Sequence, residues 1–165
     1  MRHAFLIILI TLVITSCTHT YYIVRHAEKA QANSGVAMSS PNDPPLTEAG
    51  KQRAEKLKDL LKNKKIRYIF STNFNRTLST AKPLSDAIGV TTTIYDARKD
   101  SALIAQLKTL KKNTLIVGHS NTIDDIVNRL CNEKKVPGDI EDAVYDNLFV
   151  VKYKGKKIYF EARKY

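Results

Sequence analysis

Two arginines and two histidines, each placed just after a run of β-forming residues, are the part of this sequence best suited to chemistry. Arg25 and His26 follow Tyr22-Ile23-Val24, with Glu28 two residues further on. Arg76 comes shortly after Ile66 to Phe70, and His119 follows Thr114 to Val117 and Gly118. A planar guanidinium donates paired hydrogen bonds to an oxyanion, so arginines at such places suit phosphate. Their charges also disfavour a further positive charge nearby and push imidazoles toward the neutral form. A neutral imidazole whose Nδ1–H is held by a carbonyl leaves Nε2 free as a nucleophile. Phosphoryl transfer to histidine, with no metal and no cofactor, is the chemistry these residue types support.

Alternating elements must bring those strand ends together. Thr47 and Glu48 open a helix with the apolar stripe Ala54, Leu57, Leu60 and Leu61. The strand Ile66 to Phe70 leads through Ser71–Asn75 into a helix over Arg76 to Ile88. Pro83 should kink that helix or delay its start, and Gly89 should end it. A strand over Val90 to Tyr95, a loop over 96–100 and a helix over Ser101 to Lys112 come next. The strand Thr114 to Val117 then precedes a helix capped by Asn121 or Thr122 and carrying Ile123, Ile126, Val127 and Leu130. Leu148 to Tyr153 and Lys157 to Glu161 read as a hairpin turning near Gly155. The pattern predicts a three-layer α/β/α fold: a mostly parallel sheet with an antiparallel edge strand at the C-terminus. Ligands of such sheets bind at the carboxyl ends of the strands, where all four basic residues would converge. The Ser-, Asn- and Pro-rich stretch Ala30 to Pro45 has no period and is expected to rim that site.

At 165 residues and a formal charge of +11, the chain is about one domain's worth with a preference for acidic partners. No basic run interleaved with aromatics points to nucleic acid, and the scattered lysines read first as solvated faces. Met1 to Ile14 joins a weakly cationic start to an apolar run too short to span a bilayer, which needs about 20 residues. Ile14-Thr15-Ser16-Cys17 resembles a bacterial lipobox, which implies a signal peptide over 1–16 and acylation of Cys17. Plain secretion is the alternative. The rest, 17–165, would be one domain, a monomer held on the cell envelope by its lipid. Cys131 would then have no disulfide partner and reads as a small buried hydrophobe.

The sequence resembles the histidine phosphatase superfamily, the phosphoglycerate mutase-like fold. The resemblance rests on Val24-Arg25-His26-Ala27-Glu28, Leu46-Thr47-Glu48-Ala49-Gly50, Ser71-Thr72 through Arg76 to Thr80-Ala81, and Val117-Gly118-His119-Ser120. It implies that His26 is phosphorylated while Arg25, Arg76 and His119, with Ser120, hold the phosphoryl oxygens. In the mutase-like branch the proton donor is a Glu after the following strand, a place held here by Asp96. The position used by acid phosphatases is Ser120-Asn121, which has no acid. Asp96 is therefore the candidate acid and Glu28 a weaker one.

The short connection between Arg76 and His119 lacks the insertion that encloses substrate in mutases, so hydrolysis is expected and mutase activity is not. The substrate would be a phosphorylated small molecule or a phosphoprotein, with a small-molecule or envelope phosphate ester favoured for an exported enzyme. The competing readings are a non-catalytic lipoprotein that binds a phosphorylated ligand in the same pocket, and an electrostatic module for anionic polymer or membrane.

Overall fold

The structure is a computed structural model that describes residues 18–31 and 42–165. The expected signal peptide, Cys17 and residues 32–41 of the Ala30–Pro45 stretch lie outside the described residues. The elements run β1 (Thr18–Arg25), α1 (Glu48–Leu61), β2 (Tyr68–Ser71), α2 (Asn75–Ile88), β3 (Thr92–Ile94), α3 (Asp100–Leu110), β4 (Thr114–Gly118), α4 (Ile123–Cys131), β5 (Asn147–Lys154) and β6 (Lys157–Lys164). They form one six-stranded sheet in the order β3-β2-β4-β1-β5-β6. The first four strands in that order are parallel, while β5 and β6 are antiparallel additions.

Side-chain alternation along β1 builds both layers of the core. Tyr21 and Ile23 face the helices α3 and α4, packing with Leu107, Ile126 and Leu130. Tyr22 and Val24 face α1 and α2, packing with Leu57, Leu61 and Leu84. A strand buried on both faces reads as a run of apolar residues, and β1 is one from Tyr21 to Val24, after Thr18, His19 and Thr20 and before Arg25. Cys131 is buried at the edge of the first layer, and burial pushes its thiol pKa up. Among the described residues no helix is long and apolar enough to cross a membrane.

Local chemistry accounts for most boundaries. The Thr47 hydroxyl accepts from the Gly50 amide to cap α1. Gly89, at φ 66°, ends α2 in the left-handed conformation that glycine adopts most easily. Pro83 neither delays nor ends α2, which begins at Asn75 and runs through it. Leu60, expected in the core stripe, is 46% exposed, because the stripe of α1 narrows to Ala54, Leu57 and Leu61. β3 is shorter than expected: the Val90 amide and carbonyl both bond to Ser85 at the end of α2. Residues 97–99 form a 3-10 turn where a loop was expected.

The segment after His26 is pinned against α1. The Glu28 carbonyl accepts from the Thr47 amide at 2.9 Å, and Lys29 bridges Leu46. Gly50 permits this approach, because a Cβ there would lie 2.3 Å from the Glu28 carbonyl oxygen. Helix propensity alone would make Gly50→Ala stabilising by about 1 kcal/mol. The clash predicts the opposite sign, a loss of about 1–3 kcal/mol in denaturant unfolding; a more stable variant would show that the contact yields freely.

Candidate active site

The carboxyl ends of β1, β2 and β4 bring the four basic residues to one edge of the sheet. The His26 amide continues the β1–β4 ladder by donating to the Gly118 carbonyl at 2.9 Å. Gly118 is required by crowding, since a Cβ would meet the Tyr95 hydroxyl at 2.8 Å and Ile123 at 2.9 Å. Arg25, His26, Arg76, His119 and Ser120 line one cavity of about 490 Å³. The structure thus brings together the residues that the sequence proposes for phosphate binding.

His26 is 3% exposed, and its Nδ1 lies 2.8 Å from the Ala27 carbonyl oxygen. A carbonyl only accepts, so Nδ1 carries the proton and Nε2 keeps its lone pair. Burial lowers the His26 pKa to about 3; the Ala27 bond opposes this, and the charges of Arg25 and Arg76 add to it. The orientation is fixed further by the Ala27 amide, which donates to Thr80 Oγ1, itself bonded to the Arg76 carbonyl. His26 and Arg76 are therefore tied through a single threonine.

His119 stands edge-on to His26, with ring centroids 5.6 Å apart. Burial lowers its pKa to about 4, helped by Arg76 and Arg25. Its Nε2 lies 2.9 Å from Thr72 Oγ1, which lies 3.0 Å from Thr77 Oγ1. The Thr77 hydroxyl donates to the Thr72 and Phe74 carbonyls. Having one proton, Thr77 accepts from Thr72, and Thr72 accepts in turn from His119 Nε2–H. This assignment follows from the network and leaves Nδ1 as the free ring nitrogen of neutral His119.

Arg25 is 2% exposed and held by the connection before β5. Its Nη1 donates to the carbonyls of Glu141, Asp142 and Val144, its Nη2 pairs with Asp142 at 3.3 Å, and its guanidinium lies 4.3 Å from the Tyr145 ring centroid. Arg76 lies over Phe74 and contacts the Asn42 carbonyl and Asp43. Asp43 also accepts from the Asn75 amide at the start of α2. The end of the Ala30–Pro45 stretch therefore does reach the rim. Both arginines keep a buried Nε–H that no acceptor among the described residues satisfies. Buried donors are normally paired, and the chemistry of this donor set fits a tetrahedral oxyanion.

The acid candidates are not brought into this group. Asp96 accepts from the Arg98 amide at 3.0 Å and pairs with the Arg98 guanidinium, which lowers its pKa. It lines a neighbouring groove with Phe74, Ile94 and Tyr95, not the cavity of His26. Glu28 pairs with Arg53 at 2.6 Å; burial opposes its ionisation, but the Arg53 hydrogen bonds and charge outweigh it and lower its pKa. A carboxyl held ionised is a poor proton donor. Sequence reasoning missed Tyr145, the 141–144 carbonyls and Asp43. Thr77 also escaped it, although its distance of one helical turn from Phe74 was visible.

The profile of the histidine phosphatase superfamily, branch 1, matches residues 21–101. A curated relative, "Probable phosphoglycerate mutase GpmB" of Yersinia pestis (strain Pestoides F), is 37% identical over 70 residues, which are 42% of this chain and 32% of that protein. The match thus spans about a third of the length of the curated relatives. Among solved structures, the protein histidine phosphatase SixA complexed with tungstate superposes with a TM-score of 0.65 at 17% identity, covering 88% of this chain and 96% of that one. Mycobacterial glucosyl-3-phosphoglycerate phosphatase superposes with a TM-score of 0.64 at 14% identity, covering 90% and 98%. At such identities the structures speak for the fold alone. Residues 21–101 thus carry the pattern of the histidine phosphatase superfamily, with phosphoglycerate mutase-like homologues, and the chain has the fold of that superfamily's solved structures.

Proposed function

We propose that the protein is a metal-independent phosphatase that hydrolyses phosphate monoesters through a phosphohistidine on His26. The observation that carries this reading is a neutral, oriented imidazole beside two arginines whose buried Nε–H groups find no acceptor among the described residues. His26 Nε2 attacks phosphorus, the P–O bond to the leaving group breaks, and the bonding pair departs on the leaving oxygen. Arg25 and Arg76 offset the charge spread over the equatorial oxygens, and His119, neutral in the free site, joins them through Nδ1–H once the phosphoryl dianion draws a proton onto its ring. Water then attacks phosphorus, the P–N bond breaks and Nε2 recovers its lone pair, while the water proton leaves with phosphate or solvent.

The groove beside the cavity supports a view of the leaving group. Thr72, Phe74, Ile94 and Tyr95 line it, and it shares Phe74, Ala97 and Arg98 with the phosphate cavity. Such a groove suits an apolar or aryl leaving group, which departs readily without a strong acid. With Asp96 turned to Arg98, esters of acidic alcohols should be cleaved far faster than alkyl esters. The absence of any large insertion between α2 and β4 supports hydrolysis over the mutase activity named for the Yersinia relative. The lipobox-like residues 14–17 support placement on the cell envelope through acylated Cys17. Mass spectrometry of the protein from its native host is expected to find Cys17, acylated, as the mature N-terminus, and an intact Met1 would overturn that placement.

Two measurements test the chemistry. His26→Ala is expected to lower hydrolysis of an aryl phosphate by at least ~10³-fold; equal rates would leave only a binding protein. Nitrogen NMR of the free protein should find His26 neutral at pH 5, because its pKa lies near 3 and not at 6.5. Protonation removes the nucleophile, so titration of His26 near pH 6.5 would contradict the geometry. The same shift has a stability sign: the unfolded chain protonates first as pH falls. The stability that neutral His26 confers is therefore complete above about 6.5 and is lost between there and about 3.

A further inference from the structure

The positive charge of this protein is concentrated at one end, opposite the site. Strands β1 to β4 begin where the site ends do not, and four connections meet there: residues 62–67, 111–113, 132–135 and 154–157. Asn113 stitches two of them to β1. Its Oδ1 accepts from the Thr20 amide at 2.9 Å, its Nδ2 donates to the Lys64 carbonyl at 2.7 Å, and its own carbonyl accepts from the Arg67 amide. Thr18 pairs with Lys154, which adds the β5–β6 turn, and Lys108 Nζ reaches Asn132 Oδ1, which adds the end of α4.

Within these four segments lie ten lysines, one arginine and a single acid, Glu133. All eleven cationic residues are exposed. Their balance of +10 nearly equals the +11 of the whole chain, so the remainder of the surface is close to neutral. Two of the lysines, Lys65 and Lys111, occupy backbone at φ 53° and 48°, where glycine would be less strained. The β1 strand, which connects to the apolar N-terminal segment of the sequence, starts at Thr18 in the middle of this end.

We propose that this basic end docks on the surface of an anionic phospholipid bilayer and presents the His26 cavity away from it. Lysine ammoniums on flexible stems suit a fluid field of headgroups, which offers charge without fixed geometry. Nucleic acid would reward aromatic stacking or arginine forks, and the four segments contain no aromatic residue and one arginine. The docking stands independently of the phosphatase chemistry, because no residue of the two ends is shared.

The test uses the full chain and vesicles of phosphatidylcholine with or without phosphatidylglycerol. The measured quantity is the ratio of the two affinities, which cancels any contribution of the apolar N-terminus. Each basic residue near such a surface is worth about fivefold in binding. Lys64→Gln, Lys112→Gln, Lys154→Gln and Lys156→Gln together should therefore lower the ratio by at least ~100-fold. The same four positions as Arg should keep it, with unchanged thermal unfolding in both variants. Gln at Lys51, Lys56, Lys82 and Lys99, which removes the same charge elsewhere, should leave the ratio nearly intact. Equal losses in the two Gln variants would reduce the effect to net charge and overturn the proposal. Tighter binding to a DNA oligonucleotide than to anionic vesicles at equal salt would overturn it as well.

Discussion

Four basic side chains share one buried edge of a sheet, and the rest of the structure answers the repulsion among them. Two arginines cannot shed their protons, and burial, with those charges adding to it, keeps the imidazoles neutral. Arg25 is held largely by fixed dipoles, whereas Arg76 also meets the Asp43 carboxylate at the rim. Three carbonyls from the connection before β5 converge on Arg25 Nη1, while Asp142 is almost fully exposed and its pairing is correspondingly weak. A carbonyl stabilises a cation without cancelling it, so the pocket keeps its attraction for an anion. A carboxylate buried at the same place would have satisfied the arginines and blunted the site.

The fold positions these groups with little freedom to spare. His26 lies one residue beyond β1 and is still registered to Gly118 by the ladder. Thr72, Thr77 and Thr80 carry the geometry from α2 to both histidines: Thr80 bonds the backbone at His26–Ala27, and the Thr72–Thr77 pair orients the ring of His119. These threonines are buried, so their hydroxyls have few alternatives to the bonds they make. Packing within the core is by aliphatic and aromatic side chains, and the unusual chemistry begins only where the strands stop.

The elements, the parallel arrangement and the quartet Arg25, His26, Arg76 and His119 were legible because strand endings and short motifs are local patterns. Asp96 was placed correctly after β3 but not with the right company. Nothing in Ile94-Tyr95-Asp96 shows that Arg98 will take its carboxylate. Nor does it show that β3 will be the edge strand, separated from β1 by β2 and β4. Tyr145 and the 141–144 carbonyls were invisible for a different reason. Backbone oxygens that converge on a cation leave no residue pattern, and the connection carrying them has no period to read. Leu60 followed the helical spacing yet faces solvent, since spacing predicts a face and not how wide the neighbouring surface will be.

β1 joins the two ends of the molecule as a single straight element. An extended strand rises ~3.3 Å per residue, so the eight steps from Thr18 to His26 span roughly 26 Å. The strand is buried and paired on both sides, which makes it a rigid spacer and not a tether. Any surface that holds the chain at Thr18 therefore keeps His26 at a fixed standoff, beyond the reach of phosphates lying in that surface. Only phosphate groups borne in solution, or on something projecting that far, come within its range.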